Sequence, residues 1–141
     1  MARQFEYTQA EEIRNAFARH RVRYLFLGKS GAILLGYPDT TQDSDLFLER
    51  DPENGNAALQ ALHDLGFIQL KNGPFDLDLV FAPDGIESFA RAWARHVEVE
   101  GFPVCHPDDI IASKAASNRA KDREVLPRLR AFRDYWVSHR R

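Results

Sequence analysis

Two aspartates one residue apart, Asp43 and Asp45, have the clearest potential for chemistry in this chain. Side chains at positions i and i+2 of a strand point to the same face, so a strand from Asp43 to Glu49 would aim both carboxylates into one small volume. Like charges held so close repel each other, and a raised pKa or a bound cation relieves the repulsion. Because Mg²⁺ binds one or two carboxylates together with phosphate oxygens, the pair predicts a metal site for phosphoryl or nucleotidyl transfer.

A third carboxylate completes many two-metal phosphoryl-transfer sites, and the predicted strand over residues 75–81 offers two candidates. Asp76 and Asp78 alternate with apolar residues and therefore share one face of that strand. Asp78 is the preferred candidate because its neighbours are more apolar, and Asp76 is the reserve. The alternative is that both are exposed on an edge strand, where their charge opposes aggregation.

A glycine turn, Gly28-Lys29-Ser30-Gly31, joins a predicted strand to a short predicted helix. Backbone N–H groups at such a helix start favour phosphate, Gly28 would let a phosphate approach closely, and Ser30 could donate its hydroxyl. The turn also looks like the end of a P-loop, but a P-loop requires a glycine where this chain has Arg23, so that match fails. A plain strand-to-helix turn is the alternative.

A lysine on the helix predicted after Pro107 could balance the acidic charge. Lys114 lies beside the apolar face formed by Ile110 and Ile111. It therefore either extends into solvent or points into an acidic pocket, where it would bind phosphate. Charged residues that could hold a triphosphate or an RNA end follow it: Arg119, Lys121 and Asp122.

The apolar pattern predicts helices and strands that alternate around these positions. We expect strands over residues 23–27, 43–49, 67–70 and 75–81, and a hairpin over 97–105. We expect helices over 8–20, 30–35 and 51–66, from 83–85 onward, and after 107. Details of these elements are a capping box formed by Thr8 and Glu11, a turn over 71–74, and a kink or boundary at Pro127. The prediction is an α/β (α+β) fold with a mixed sheet flanked by helices.

Length and composition narrow the class of protein. The 141 residues are expected to form one domain over 1–141, whose part over 107–141 is a helical C-terminal segment. No apolar run is long enough to span a membrane, and the first residues lack the apolar stretch of a signal peptide. Cys105 is the one cysteine of the sequence, which suits the cytoplasm.

Charge is unevenly distributed along the chain. Residues 37–111 carry four basic and fifteen acidic side chains, whereas residues 112–141 carry nine basic and three acidic ones. The basic end predicts a surface for a polyanion. The alternative is an amphipathic helix whose arginines pair with the acidic centre of the chain.

Taken together, these motifs resemble the minimal nucleotidyltransferase superfamily, and most closely its bacterial branch of AbiEii-like abortive-infection toxins and tRNA-modifying nucleotidyltransferase toxins. The resemblance spans roughly residues 22–136. The positions that fit the pattern are Gly28, Gly36, Pro38, Thr41, Asp43, Asp45, Asp78, Lys114, Lys121 and Asp122. The positions that depart from it are Lys29 in place of a second glycine, Asp39 in place of an arginine, and Ser44 in place of a bulky aliphatic residue.

The resemblance implies a nucleotidyltransferase-like fold and a function. The implied enzyme depends on Mg²⁺ or Mn²⁺ and transfers a nucleoside monophosphate from an NTP to a hydroxyl on RNA, tRNA included, or on protein. The implied site consists of Asp43, Asp45 and Asp78 for catalysis and metal binding, and of Gly28, Lys29, Ser30, Lys114 and Lys121 for nucleotide binding.

Two other hypotheses stay open at this point. Lys29 and Asp39 motivate a catalytically inactive binding module that forms one half of a toxin–antitoxin pair. A homodimeric interaction protein that has the fold alone would leave Asp76 and Asp78 exposed and far from the other acids. The expected partners are an NTP together with RNA or a cognate toxin or antitoxin protein, and no membrane.

Overall fold

The computed structural model describes residues 5–67 and 75–140. Its helices are α1 (Tyr7–Arg19), α2 (Gly28–Leu34), α3 (Pro52–Asp64), α4 (Phe89–Arg95), α5 (Pro107–Ser117) and α6 (Ala120–Ser138). Its strands are β1 (Tyr24–Leu27), β2 (Asp43–Leu48), β3 (Asp76–Val80), β4 (Val97–Val99) and β5 (Phe102–Val104). The predicted α/β (α+β) class is confirmed. The predicted strand over 67–70, apart from Phe67, and the predicted turn over 71–74 lie outside the described residues.

The strands form one mixed sheet in the order β3-β2-β1-β5-β4. β1 pairs antiparallel with β2 and parallel with β5, while β2 pairs parallel with β3 and β4 pairs antiparallel with β5. Among the described strands, β3 is therefore an edge strand, and it lies directly beside β2. The predicted mixed sheet with a late hairpin is confirmed.

Helices cover both faces of this sheet because successive strand residues point to opposite sides. Phe26 and Leu46 belong to a core with residues of α1 and α3. Leu25 and Phe47 belong to a second core with residues of α5 and α6, such as Ile110 and Leu129. No helix in the described part of the chain is long and apolar enough to cross a membrane.

The start of α1 differs from the prediction. Glu6 has an extended backbone and precedes the first helical residue, Tyr7, so Thr8 already lies inside the first turn. Its hydroxyl donates a hydrogen bond to the Glu6 carboxylate at 3.3 Å, and no side chain caps the helix. The predicted capping box of Thr8 and Glu11 is therefore wrong.

The predicted helix start at residues 83–85 is also wrong. α4 begins only at Phe89, where the Ser88 hydroxyl accepts a hydrogen bond from the Arg91 N–H at 3.2 Å and caps the helix. Residues 83–86 form a turn instead, in which the Ile86 N–H donates to the Pro83 carbonyl at 3.4 Å.

Pro127 lies inside α6, which continues from Ala120 to Ser138, so it marks no boundary. The break between α5 and α6 comes earlier. Asn118 adopts a left-handed backbone with φ of 52° and ends α5. These two helices, α5 and α6, make up the helical C-terminal part of the described chain.

Candidate functional site

The two segments that carry the predicted acids lie side by side. β2 and β3 pair in parallel, with Asp45 opposite Asp78 and Asp43 opposite Asp76. Asp45 and Asp78 line the same open cavity, which has a volume of about 490 Å³. The alternative of an exposed edge strand is correct in part, because Asp76 and Asp78 are exposed on β3. The pairing nevertheless places Asp78 next to Asp45 and not far from it.

Asp45 is the acid whose titration the surroundings change most. Burial, and then the negative charge of the neighbouring Asp78, raise the pKa of Asp45 to about 7, whereas Lys114 opposes the rise. The pKa of Asp43 is raised as well, by burial and then by Asp78 and Asp76, while Lys121 opposes that rise. The carboxylates of Asp43 and Asp45 therefore repel those of Asp76 and Asp78, and a proton or a bound cation would relieve this repulsion.

Gly28 makes room for the Asp45 carboxylate. A Cβ added to Gly28 would lie 2.2 Å from the Asp45 Oδ2 atom, and the backbone of Gly28 has a left-handed φ of 62°. A residue with a side chain would meet both the carboxylate and the strain of that conformation. Gly28 also lines the cavity, so its bare backbone lies where the sequence predicted a ligand to approach.

Ser30 has a different position from the one predicted. It is fully buried, its hydroxyl donates to the Leu27 carbonyl at 3.0 Å, and the Asp45 N–H donates to it at 3.0 Å. This burial and these two hydrogen bonds do not support the predicted phosphate contact of Ser30. Ser30 instead holds the Asp45 backbone against the end of β1.

A buried acid organises the basic side of the cavity. Asp122 is fully buried, accepts a hydrogen bond from Arg119 Nε at 2.8 Å, and lies 3.7 Å from Lys114 Nζ. Burial raises the pKa of Asp122, but the hydrogen bonds with Arg119 and the charges of Lys114 and Arg119 together outweigh this and hold that pKa below its ordinary value. Burial lowers the pKa of Lys114, which Asp122 and Asp45 oppose. Of the two predicted orientations of Lys114, the one towards an acidic pocket is confirmed.

The cavity between the acids and these cations has walls from four parts of the chain. Its lining residues are Leu27, Gly28, Asp45, Asp78, Leu79, Val80, Ala82, Pro83, Asp84, Ser113, Lys114, Ser117 and Arg119. The prediction from sequence missed Asp84 and the two serines. Ser117 could have been found, because it lies three residues after Lys114 and so shares its helix face. Ser113 lies four residues before Ser117 and is in turn its neighbour on the helix.

Two predicted nucleotide-binding lysines lie outside this lining. Lys29 Nζ is 3.2 Å from the Asp39 carboxylate. Lys121 is exposed on α6, where its charge opposes the rise in the pKa of Asp43. Their predicted roles thus rest on the resemblance, whereas Gly28 and Lys114 are part of the cavity wall.

Asp43, Asp45 and Asp78 are the acids predicted to bind a divalent cation. Within residues 5–67 and 75–140, no group of three or more His, Cys, Asp or Glu side chains is arranged as a metal site. The pair of Asp45 and Asp78 nevertheless offers the oxygen donors that Mg²⁺ prefers, and a bound cation would oppose the rise in the pKa of Asp45 that burial and the charge of Asp78 cause. The chemistry of this donor set fits Mg²⁺ shared with a phosphate, while the third ligand, Asp43, stays a prediction.

Comparison with known proteins gives no relative: no family model, no curated protein and no solved structure matches the chain. What this cavity can do must therefore be argued from its own side chains. They combine paired carboxylates, a glycine without a side chain and two cations, which together suit a polyphosphate ligand.

Proposed function

We propose that the protein is a Mg²⁺-dependent nucleotidyltransferase that transfers a nucleoside monophosphate from an NTP to a hydroxyl on RNA, tRNA included, or on protein. One observation carries the proposal. Asp45 and Asp78 are paired across β2 and β3, and they line one cavity together with Lys114 and Arg119. A cavity of about 490 Å³ lies within the range of small-ligand sites, so it could take a nucleotide.

The proposal assigns a role to each charged group. Asp43, Asp45 and Asp78 would hold Mg²⁺, which when bound lowers the charge on the triphosphate and stabilises the oxygens that attack and leave. Lys114 and Arg119 would bind the triphosphate, and Asp122 would hold both cations in place. Asp78 would accept the proton of the acceptor hydroxyl, whose oxygen bonds to the α-phosphorus as pyrophosphate departs.

The fixed positions of these groups supply much of the expected rate enhancement. Gly28 and Ser30 fix Asp45 through packing and a hydrogen bond, so little reorganisation is needed when a substrate binds.

We also propose a cytoplasmic location, which suits a single cysteine, Cys105, that is buried. A cognate toxin or antitoxin protein remains among the proposed partners.

A binding experiment tests the nucleotide site. Melting temperature is measured with Mg²⁺ and each NTP for the wild type, Asp45→Asn and Asp78→Asn. We expect an increase for the wild type that neither variant shows. Glu12→Gln is the matched control, because it makes the same kind of change at an exposed position of α1 and should keep the increase. An unchanged wild-type melting temperature with every NTP would contradict the proposal.

A transfer experiment tests the reaction itself. The protein is incubated with α-³²P-labelled NTP, Mg²⁺ and either total RNA or a protein extract, and label in the macromolecular fraction is measured. Label that ribonuclease removes identifies RNA as acceptor, and label that protease removes identifies protein. NTP binding that depends on Asp45 without any transfer would instead favour the inactive binding module.

A further inference from the structure

One charged residue of the cavity lining, Asp84, has no role in the proposed chemistry. Asp84 lines the cavity in the turn that follows β3, and it is exposed there. A carboxylate repels the phosphates that Lys114 and Arg119 would attract, and it can only accept hydrogen bonds when ionised. Asp84 is therefore suited to an uncharged part of the ligand that carries N–H or O–H donors.

The turn that carries Asp84 is held firmly against α5. Gly85 has a φ of 79°, and a Cβ added to it would lie 2.4 Å from the Ala112 carbonyl oxygen and 3.0 Å from the Ala116 Cβ atom. Such an approach is open only to glycine. Pro83 on the other side of Asp84 is buried. Asp84 thus has a defined position relative to the helix that carries Lys114, as a residue that recognises a ligand requires.

The cavity wall between Asp78 and Asp84 is apolar. The apolar side chains of this wall are those of Val80, Ala82 and Pro83, while the side chain of Leu79 packs on the other face of the sheet against the core with α1 and α3. In a nucleotide the triphosphate and ribose are polar, and the faces of the base are the one large apolar surface. If the phosphates bind near Asp78 and Lys114, the base packs along this wall and its polar edge reaches Asp84.

We propose that Asp84 reads the base of the nucleotide and selects guanine, an inference that rests on the proposed nucleotidyltransferase function. The Watson–Crick edge of guanine carries two adjacent donors, N1–H and N2–H, one for each carboxylate oxygen. The same edge of adenine or cytosine pairs a donor with an acceptor, and uracil offers one N–H between two carbonyls. A bidentate pair of this kind discriminates between bases by roughly 5- to 150-fold.

The test measures affinity for a panel of nucleotides in Mg²⁺: GTP, ITP, XTP, ATP, CTP and UTP. The wild type should bind GTP most tightly and ITP more weakly, because ITP lacks the 2-amino group. Asp84→Asn should lose the preference for GTP and gain one for XTP, since its amide oxygen accepts from N1–H and its amide nitrogen donates to the xanthine O2. Asp84→Ala should lose the preference for GTP without gaining XTP.

The controls separate this inference from the function on which it rests. Glu12→Gln makes the same carboxylate-to-amide change on α1 and should keep the wild-type order of affinities. If no NTP binds in Mg²⁺, both the proposed function and the proposed role of Asp84 are contradicted. Two outcomes would contradict the role of Asp84 alone. In one, NTPs bind in a manner that depends on Asp45 but without a preference for GTP; in the other, the preference for GTP persists in Asp84→Ala. A gain of XTP binding by Asp84→Asn supports this role.

Discussion

Lys29 Nζ lies 3.2 Å from the Asp39 carboxylate, and these are two of the positions at which the chain departs from the nucleotidyltransferase pattern. Arg128 approaches the same carboxylate at 3.8 Å. The backbone N–H of Thr40 and the neighbouring Lys29 hold the pKa of Asp39 below its usual range, although burial opposes this. The lysine in place of glycine and the acid in place of arginine therefore neutralise each other, and Lys29 is kept out of the cavity lining.

We predict that Lys29 contributes little to nucleotide binding while Asp39 is present. Lys29→Ala should leave NTP affinity nearly unchanged, whereas Lys114→Ala should weaken it strongly, because Lys114 lines the cavity. Urea unfolding of the single and double alanine variants of Lys29 and Asp39 should give a coupling free energy of up to about 1 kcal/mol, as for other partly exposed ion pairs. Equal losses of NTP affinity in Lys29→Ala and Lys114→Ala would contradict this prediction.

The paired acids should make stability depend on pH. The pKa of Asp45 is raised to about 7 in the fold, whereas an unfolded aspartate loses its proton near pH 4. Between these values the folded chain binds more protons than the unfolded one, so this group makes stability fall as pH rises from about 4 to 7. The fall amounts to at most about 4 kcal/mol.

Asp45→Asn isolates that contribution. The variant should be more stable than the wild type at pH 8, and the difference should shrink as the pH falls towards 4, where both side chains are uncharged. Urea unfolding at several pH values measures it. A constant difference between the two proteins across this range would mean that Asp45 titrates normally and that the acids do not repel each other.

Gly28→Ala should damage the site by two separate effects. The added Cβ would lie 2.2 Å from Asp45 Oδ2, and the φ of 62° strains any residue with a side chain. The strain costs about 1–2 kcal/mol, and displacement of Asp45 should also abolish stabilisation by Mg²⁺ and NTP.

Gly36→Ala is the matched control, because its φ is 112° but no atom lies within 4 Å of an added Cβ. It should lose stability and keep the response to nucleotide, and an equal loss of response in both variants would contradict the role of Gly28.

Strand alternation explains why the positions of these acids on two strands could be predicted. Asp43, Asp45 and Asp78 each lie on a short segment with alternating apolar residues, which is a local property of the sequence. Which acid faces which could not be predicted, because the register of a parallel pair depends on how β2 and β3 are brought together. Asp45 opposite Asp78 is thus a result of tertiary structure.

The errors in the prediction have equally specific causes. The sequence Pro83-Asp84-Gly85 is typical of both a helix start and a turn. In the structure it forms the turn, in which Gly85 contacts α5, and such a long-range contact cannot be predicted from local sequence. Ser30 is a residue type that serves equally well as phosphate donor or as internal hydrogen-bond partner. Its burial next to Asp45 favours the second role, and the burial of one serine cannot be predicted from the spacing of residues in the sequence.

The position of Ser30 gives a last prediction that separates these two roles. In Ser30→Ala the Asp45 N–H and the Leu27 carbonyl lose their common partner, and leaving buried polar groups unpaired costs about 1–3 kcal/mol. The variant should unfold at lower urea concentration, while NTP affinity at low temperature, where it is still folded, should fall only slightly. Ser30→Cys, of similar size but with a weaker donor and acceptor, should lie between alanine and the wild type in stability. A large loss of NTP affinity without a loss of stability would instead identify the Ser30 hydroxyl as a phosphate ligand.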